Sequence, residues 1–127
     1  MAYFRCSNGN SGGGQPTETV LWENASPSYY GETWLTLSDS VDNYDLIGVV
    51  YIYSTSQTSE RTVYFGAGRI NEAVVAYADY NGTGYIRRFN KMPVNRAELK
   101  VDYGYKYGTA TQSGYYILPK KIIGLKF

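Results

Sequence analysis

Short apolar runs alternate along most of this chain with clusters of Gly, Asn, Ser, Asp and Pro, at intervals typical of a sandwich or barrel of strands. None of the runs predicts a helix. The pattern predicts strands over Thr19–Trp22, Glu32–Ser38, Tyr44–Ser54, Arg61–Phe65, Ala73–Tyr80, Tyr85–Lys91, Ala97–Tyr105, Tyr115–Leu118 and Ile122–Lys126. We therefore expect an all-β fold, a jelly-roll-like antiparallel β-sandwich with eight to nine short strands.

Two of these runs also predict which side chains are buried. In ELKVDYGYKY, polar and apolar positions alternate, so one face of that strand should meet water and the other the core. The buried face would hold Leu99, Val101, Tyr103, Tyr105 and Tyr107. In YDLIGVVYIY both phases are apolar, which predicts a strand that is covered on both faces. A two-layer sandwich covers only one of them, so we expect the second face to form a subunit interface.

The turn between the fifth and sixth predicted strands is the strongest local signal. An Asn-Gly pair, Asn81–Gly82, lies there between two strands, as in a tight β-hairpin. In the second strand of this hairpin, Arg87 and Arg88 are neighbours and point to opposite faces. An inward-facing guanidinium needs a partner. We favour an ion pair with Asp79 or Asp102 over a role in binding an acidic sugar.

Composition restricts the classes of function. The chain of 127 residues has the length of one domain. Its twelve basic residues are scattered and nearly balanced by eleven acidic ones, so no nucleic-acid partner is expected. No apolar run has the length of a membrane span, and the first residues lack the pattern of a secretory signal. We therefore expect neither membrane insertion nor export by the general pathway.

Histidine does not occur in the sequence, and this bears on catalysis. Without histidine, neither a Ser-His-Asp nor a Cys-His nucleophile can be built, nor a histidine-based metal site. The single cysteine, Cys6, cannot form an internal disulfide. We expect a protein that is not an enzyme and that uses no cofactor.

The remaining candidates for chemistry are carboxylates. Asp39, Asp42 and Asp45 lie three residues apart in SDSVDNYD. Paired carboxylates across a cleft could serve a glycoside hydrolase, and oxygen ligands could bind calcium. The spacing lacks the alternating order of a dedicated calcium loop. We favour turn residues that make local hydrogen bonds, and no metal site.

The N-terminal segment differs in composition from the rest. The tract SNGNSGGGQP has no apolar side chain except its proline, which is typical of a flexible linker. We divide the chain into an N-terminal tail with a Gly-rich linker over residues 1–16 and a β-sandwich domain over residues 17–127. The residues MAYFRC in front of the linker would be an attachment peptide; a frayed terminus is the alternative.

Five short motifs follow one another between residue 18 and the end of the chain. They are a Leu-Trp pair with an Asn-x-Ser-Pro turn (Leu21, Trp22, Asn24, Ser26, Pro27), a Thr-Leu-Ser strand end (Thr36, Leu37, Ser38), an Asn-Tyr-Asp-x-Ile step (Asn43, Tyr44, Asp45, Ile47), YIRRF (Tyr85–Phe89) and YYILPKKIIGLK (Tyr115–Lys126). In these motifs the chain resembles a family of β-domains found near the ends of tail-fibre, baseplate and head-fibre proteins of phages and prophages of Gram-positive hosts.

The resemblance implies a virion structural protein, assembled in the bacterial cytoplasm, that serves as an appendage or receptor-binding domain. It also implies a homotrimer in which residues 1–16 join other virion proteins, with a host cell-surface saccharide as the ligand. Two alternatives stay open. One is a free-standing carbohydrate-binding module, and the other is a capsid or tail decoration protein without a ligand.

The fifteen tyrosines of the chain favour a binding surface, because their rings offer flat apolar faces at low entropic cost. We expect the ligand-binding side chains in one loop and at the ends of the hairpin, where binding loops gather. They are Tyr29, Tyr30, Tyr80, Tyr85 and Arg88. For the adjacent pair Tyr29 and Tyr30, the alternative is that the rings cover the end of the sandwich. Trp22 and Trp34 are interpreted as packing residues.

Overall fold

The computed structural model describes residues 15–25, 28–53, 59–79, 81–91 and 96–127. Ten strands lie in these ranges: β1 (Thr17–Glu23), β2 (Thr33–Thr36), β3 (Leu46–Ile52), β4 (Arg61–Gly66), β5 (Ala73–Ala78), β6 (Gly84–Lys91), β7 (Glu98–Val101), β8 (Gly104–Lys106), β9 (Gln112–Ser113) and β10 (Leu118–Lys126). Two 3₁₀ turns, Val41–Asn43 and Ala67–Glu72, lie between strands. In the described part of the chain there is no helix that is long and apolar enough to cross a membrane.

The strands form two antiparallel sheets. One sheet has four strands in the order β1-β10-β3-β4, and the other has six, in the order β2-β7-β6-β8-β9 with β5 paired to β6. β1 pairs with β10 and β2 pairs with β7, so the second pair lies within the first along the chain, as in a jelly roll. The pairs β3·β4 and β5·β6 each join strands that are consecutive in the sequence. The predicted all-β antiparallel sandwich is confirmed.

The core lies between the two sheets. Alternate residues of each strand point inward, as the pleat requires. The inward side chains of the four-stranded sheet include Leu21, Ile47, Val49 and Ile122, and those of the six-stranded sheet include Leu35, Val75, Phe89, Leu99 and Val101. All of them are buried, and their removal from water is the main force that holds the sheets together.

β3 is covered on both faces, as its two apolar phases predict. Val50 and Ile52 point away from the core and are still only 6% and 7% exposed. Part of the cover comes from neighbouring strands, since Tyr64 of β4 and Ile123 of β10 lie over Gly48, where an added Cβ would come within 2.8 Å of each side chain. The expectation that a second subunit must cover this face was wrong, because side chains of the same chain already do so.

The C-terminal strand is longer than predicted. The two predicted strands Tyr115–Leu118 and Ile122–Lys126 are replaced by β10, which runs unbroken from Leu118 to Lys126 and includes Pro119. A β-bulge between Pro119 and Lys121 accommodates the proline, whose missing N–H would otherwise interrupt the ladder. The Pro119 carbonyl accepts a hydrogen bond from Nδ2 of Asn24 at 3.2 Å.

The predicted hairpin between β5 and β6 is confirmed. Gly82 has a φ of 87°, the region that glycine adopts without strain. The Asp79 N–H donates to the Thr83 carbonyl, and the Gly82 N–H donates to the Asp79 carbonyl, both at 2.9 Å. The Asp79 carboxylate closes the turn by accepting hydrogen bonds from the backbone N–H groups of Asn81 and Thr83.

An irregularity between β7 and β8 reverses the faces of the strand that pairs with β6. Val101 is paired with Phe89, and Tyr105 is paired with Ile86. The three residues 102–104 therefore lie opposite only two residues of β6, 87 and 88. One extra residue makes a bulge, and every side chain beyond it changes face. The prediction that Tyr105 and Tyr107 are buried was therefore wrong, and Tyr107 is 73% exposed.

Candidate functional site

A candidate binding surface lies on the outer face of the six-stranded sheet. Small side chains of β5 and β6 lie there beside the two tyrosines turned out by the bulge. We call this surface the outer platform and define it by Ala76, Ala78, Gly84, Ile86, Tyr105 and Tyr107. It contains two adjoining depressions of about 390 and 290 Å³, which share Ile86 and Tyr107 in their walls.

Tyr107 is held at the border of the outer platform by the turn that follows β8. Its backbone N–H donates to the Gly84 carbonyl at 2.8 Å. Within the turn, Oγ1 of Thr109 donates to the Lys106 carbonyl at 2.9 Å, and Gly108 has a φ of 80°, a conformation that glycine adopts readily. The ring is therefore exposed on a fixed backbone.

Charged groups border the smaller depression. The Arg88 side chain is 57% exposed and its Nε lies 3.1 Å from Oδ2 of Asp102. Nζ of Lys100 approaches the same carboxylate at 3.9 Å and Glu32 at 3.7 Å. Lys106 and Thr109 complete the wall. The outer platform thus has hydrogen-bond donors beside its aromatic rings.

Trp34 extends this outer face, in contrast to its interpretation as a packing residue. It is 48% exposed, and Nζ of Lys100 lies 5.7 Å from the centre of its ring. Trp22 does pack, since its ring meets Tyr30 edge-on with 5.5 Å between the ring centres. The difference follows from the pleat, because Trp34 precedes the inward-facing Leu35 and must point the other way.

Arg87 is the inward-facing member of the arginine pair and is fully buried. Its Nε donates to the Asp102 carbonyl at 2.7 Å, its Nη1 to the Tyr116 carbonyl at 3.0 Å, and its Nη2 to the Tyr30 carbonyl. Burial lowers the pKa of Arg87 to about 10, so the group stays charged at neutral pH.

The prediction that the inward-facing arginine forms an ion pair with Asp79 or Asp102 was wrong. The Asp102 carboxylate pairs with Arg88, and the Asp79 carboxylate closes the hairpin turn. Carbonyl oxygens take the place of an acid because three backbone segments with unpaired acceptors converge on the guanidinium, which has five donors in a fixed plane.

The sequence-predicted site residues do not form one surface. Tyr29 is 49% exposed and meets Tyr115 edge-on at 5.0 Å. Tyr30 is half-buried against the core, so one ring of this pair is exposed and the other covers the end of the sandwich. Tyr85 lines the larger depression and Arg88 the smaller one. Tyr80 lies outside the described residues.

A row of tyrosines closes the sandwich next to the outer platform. The ring of Tyr53 stacks on that of Tyr77, with 4.1 Å between the ring centres. The ring centre of Tyr85 lies 6.4 Å from that of Tyr77 and 4.8 Å from that of Tyr116. The guanidinium of Arg61 lies 5.2 Å from the centre of the Tyr77 ring. Burial, followed by a hydrogen bond with Tyr53, raises the pKa of Tyr77 to about 12. These rings stabilise the end of the fold.

The three aspartates considered for chemistry have local structural partners. Oδ1 of Asp39 accepts hydrogen bonds from the side chain of Asn43 and the backbone of Ser40, which lower the pKa of this carboxyl. Asp42 pairs with Arg96, and Asp45 accepts the Phe127 N–H at 2.8 Å. Across the described ranges, no three His, Cys, Asp or Glu side chains come together in a way that could hold a metal ion.

None of the six residues that define the outer platform was predicted as a site residue, including the outward-facing Tyr105 and Tyr107. The placement of these two tyrosines depends on the bulge between β7 and β8. The only local signal for it is Gly104, since a glycine inside a strand pattern often marks a bulge.

Neither the comparison with protein-family models nor the comparison with curated proteins finds a match for this chain. The resemblance to phage and prophage appendage domains therefore stays a prediction from the motifs.

Proposed function

We propose that this chain is a virion protein of a phage or prophage, an appendage or receptor-binding domain that binds host surface polysaccharide on the outer platform without catalysis. The observation that supports binding is Tyr107, a ring 73% exposed beside depressions of about 390 and 290 Å³. The virion assignment depends on the motif resemblance.

The chemistry of the outer platform suits a sugar chain. The faces of pyranose rings carry C–H groups that pack on aromatic rings, and Tyr105 and Tyr107 offer such rings side by side with small residues. Arg88 and Lys106 supply donors for sugar hydroxyls at the border. An open surface of this kind accepts an extended polymer, whereas an enclosed cavity suits a small molecule.

Weak individual contacts fit an oligomeric appendage. Several copies that engage one polymer gain avidity through effective concentration. A homotrimer, with residues 1–16 joining other virion proteins, is the arrangement that the resemblance supports.

Replacing Tyr107 by alanine tests the binding surface. Tyr107→Ala should weaken binding to purified host wall polysaccharide by at least about tenfold, or 1.4 kcal/mol at 25 °C, with little change in the thermal midpoint because the ring is exposed. Phe127→Ala is the matched control, since Phe127 is also 73% exposed but lies next to β10 in the other sheet. Equal binding by both variants and the unmodified chain would contradict the proposed surface.

Mass spectrometry of purified virions induced from the source strain tests the compartment. We expect the chain among the particle proteins. If it is missing from particles but binds polysaccharide, it is a free-standing carbohydrate-binding module. If it is present and binds no polysaccharide, it is a decoration protein.

A further inference from the structure

We infer that the free edge of β5 accepts residues 1–6 (MAYFRC) of a neighbouring copy of this chain as an added strand. This inference takes from the proposed function only that the chain forms a homo-oligomer, and it names the surface that joins the copies. It assigns residues 1–6 to a neighbouring copy in place of the contact with other virion proteins that the resemblance implies.

β5 has the features of an unprotected sheet edge. Among the described strands it pairs with β6 alone, so its other side carries no strand partner. Its sequence, AVVAYA, contains no charge, no proline and no glycine, and its register with β6 runs without a bulge. Val74, Ala76 and Ala78 are exposed along it. Such an edge readily pairs with another extended segment.

The other sheet edges that the structure describes carry the usual protection. β1 bears Glu18 and Glu23 and has a bulge between Val20 and Trp22. β4 begins with the charged Arg61. β2 has four residues and β9 has two. Charges, bulges and short length all discourage strand addition, and β5 has none of them.

Residues 1–6 match this edge in chemistry. Tyr3 and Phe4 are residue types that favour strands. The one charged side chain of this segment is Arg5, and β5 is bounded in the sequence by Glu72 and Asp79. By its Gly-rich composition, the tract between residue 6 and β1 has a reach on the order of 16 Å root-mean-square, which is long enough for residues 1–6 to contact another copy.

The topology favours a neighbouring copy over the same copy. The linker joins the domain at β1, the outermost strand on one side of the four-stranded sheet, and β4 is outermost on the other side. A single 3₁₀ turn, Ala67–Glu72, joins β4 to β5, so the free edge of β5 lies on the side away from the linker. A contact from one side of a copy to the opposite side of the next is head-to-tail, and such contacts form a closed ring where the rotation between copies closes on itself.

Disulfide trapping with the native Cys6 tests the contact in the full-length chain. Val74→Cys and Ala78→Cys place a thiol at either end of the exposed positions of β5, and Glu18→Cys places one at the β1 edge as a matched control. We expect covalent oligomers on non-reducing gels from one of the β5 variants, and the variant that cross-links reports the direction of the added strand. No cross-link above the control, or a disulfide within one chain, would overturn the inference.

Two charge variants test whether the segment holds the oligomer together. The double variant Tyr3→Asp with Phe4→Asp should dissociate the oligomer to monomers in light scattering at micromolar concentration. Ser7→Asp with Ser11→Asp adds the same charge within the linker and should leave the oligomer intact. A monomeric unmodified chain, or an oligomer that withstands the first pair, would overturn the inference.

The affinity for a short oligosaccharide separates this inference from the proposed function. A short oligosaccharide binds to a single copy, so its affinity does not depend on the oligomer and should be the same in both double variants. Loss of the oligomer with unchanged oligosaccharide affinity supports both ideas. Oligosaccharide binding that is missing in the unmodified chain rejects the proposed function and leaves the oligomer result to stand by itself.

Discussion

Two adjacent arginines show how the position of a single residue sets its role. Arg87 and Arg88 have the same side chain and lie on opposite faces of β6, one buried and one 57% exposed. Arg87 connects the break after β7, the loop before β2 and the segment before β10 through their carbonyl oxygens. It therefore organises three loops that have no regular pairing of their own.

Replacing Arg87 by methionine should destabilise the fold by about 3 kcal/mol or more, since each buried carbonyl left without a donor costs about 1–3 kcal/mol. Arg88→Met removes a guanidinium that is 57% exposed and leaves the buried Asp102 carboxylate with Lys100 at 3.9 Å, so it should cost less, about 1 kcal/mol. Urea denaturation of the two variants measures the difference. Equal small losses would show that the carbonyl contacts of Arg87 contribute little to stability.

The neighbouring tyrosines of the loop before β2 should also differ in their effect. Tyr30 packs on Trp22 and the core, so Tyr30→Ala should cost about 3 kcal/mol, as for other aromatic residues removed from a core. Tyr29 is 49% exposed, and Tyr29→Ala should cost about 1 kcal/mol, the value of one aromatic pair. Thermal unfolding of both variants tests this order, and a larger loss for Tyr29 would contradict it.

Among the elements, the bulge between β7 and β8 has the largest consequence for the proposed binding surface. It places Leu99 and Val101 in the core and turns Tyr105 and Tyr107 to the outer platform. Gly104 allows the close approach of the chain at this point. A Cβ added there would lie 2.6 Å from both the carbonyl oxygen and the Cβ of Tyr116.

Gly104→Ala should therefore destabilise the fold by about 1–3 kcal/mol, the usual cost of overpacking. Gly66→Ala is the matched control, since an added Cβ at Gly66 meets nothing within 4 Å. Chemical denaturation of the two variants should separate them clearly. If both variants were as stable as the unmodified chain, the close contact with Tyr116 would not restrict residue 104.

At the scale of the whole molecule, many tyrosine hydroxyls are held in or beside the packed sandwich. Burial raises the pKa of Tyr30, Tyr51 and Tyr85, and it raises the pKa of Tyr77 to about 12. In an unfolded chain the same groups titrate near a pKa of about 10. The folded state thus holds protons that the unfolded state releases at alkaline pH.

The stability that these tyrosines contribute should be constant below a pH of about 10, the unfolded value for tyrosine, and should be lost as the pH rises towards the pKa of Tyr77 of about 12. The sign follows from linkage, because the folded state binds more protons in this range. The pKa of Arg87 is lowered to about 10 in the folded state, so this residue adds stability as the pH rises through the same range. It is one group, whereas several tyrosines have raised pKa values, so stability should still fall.

Thermal midpoints across this alkaline range, with tyrosinate absorbance recorded in parallel, measure the effect. Tyr77→Phe removes one raised group and should make the decline shallower. Stability that rises with pH, or a decline unaffected by Tyr77→Phe, would contradict the expectation.

Local chemistry by itself determined much of this fold. The Asn81–Gly82 turn, the double apolar phase of β3 and the inward positions of Leu99 and Val101 depend on neighbouring residues only, and all are found in the structure. A period of two and a glycine with positive φ are properties of the chain within a few residues. They can therefore be predicted without knowing what lies opposite.

Only the tertiary structure decided the outer platform and the environment of Arg87. Whether Tyr107 faces the core or solvent depends on how many residues of β6 lie opposite the β7–β8 segment. This number is a property of the two paired strands together and cannot be read from either strand alone. The carbonyl partners of Arg87 lie up to 57 positions away in the sequence. Contacts of this kind arise from the pairing and packing of distant segments, so the site could be placed only once both strands were seen together.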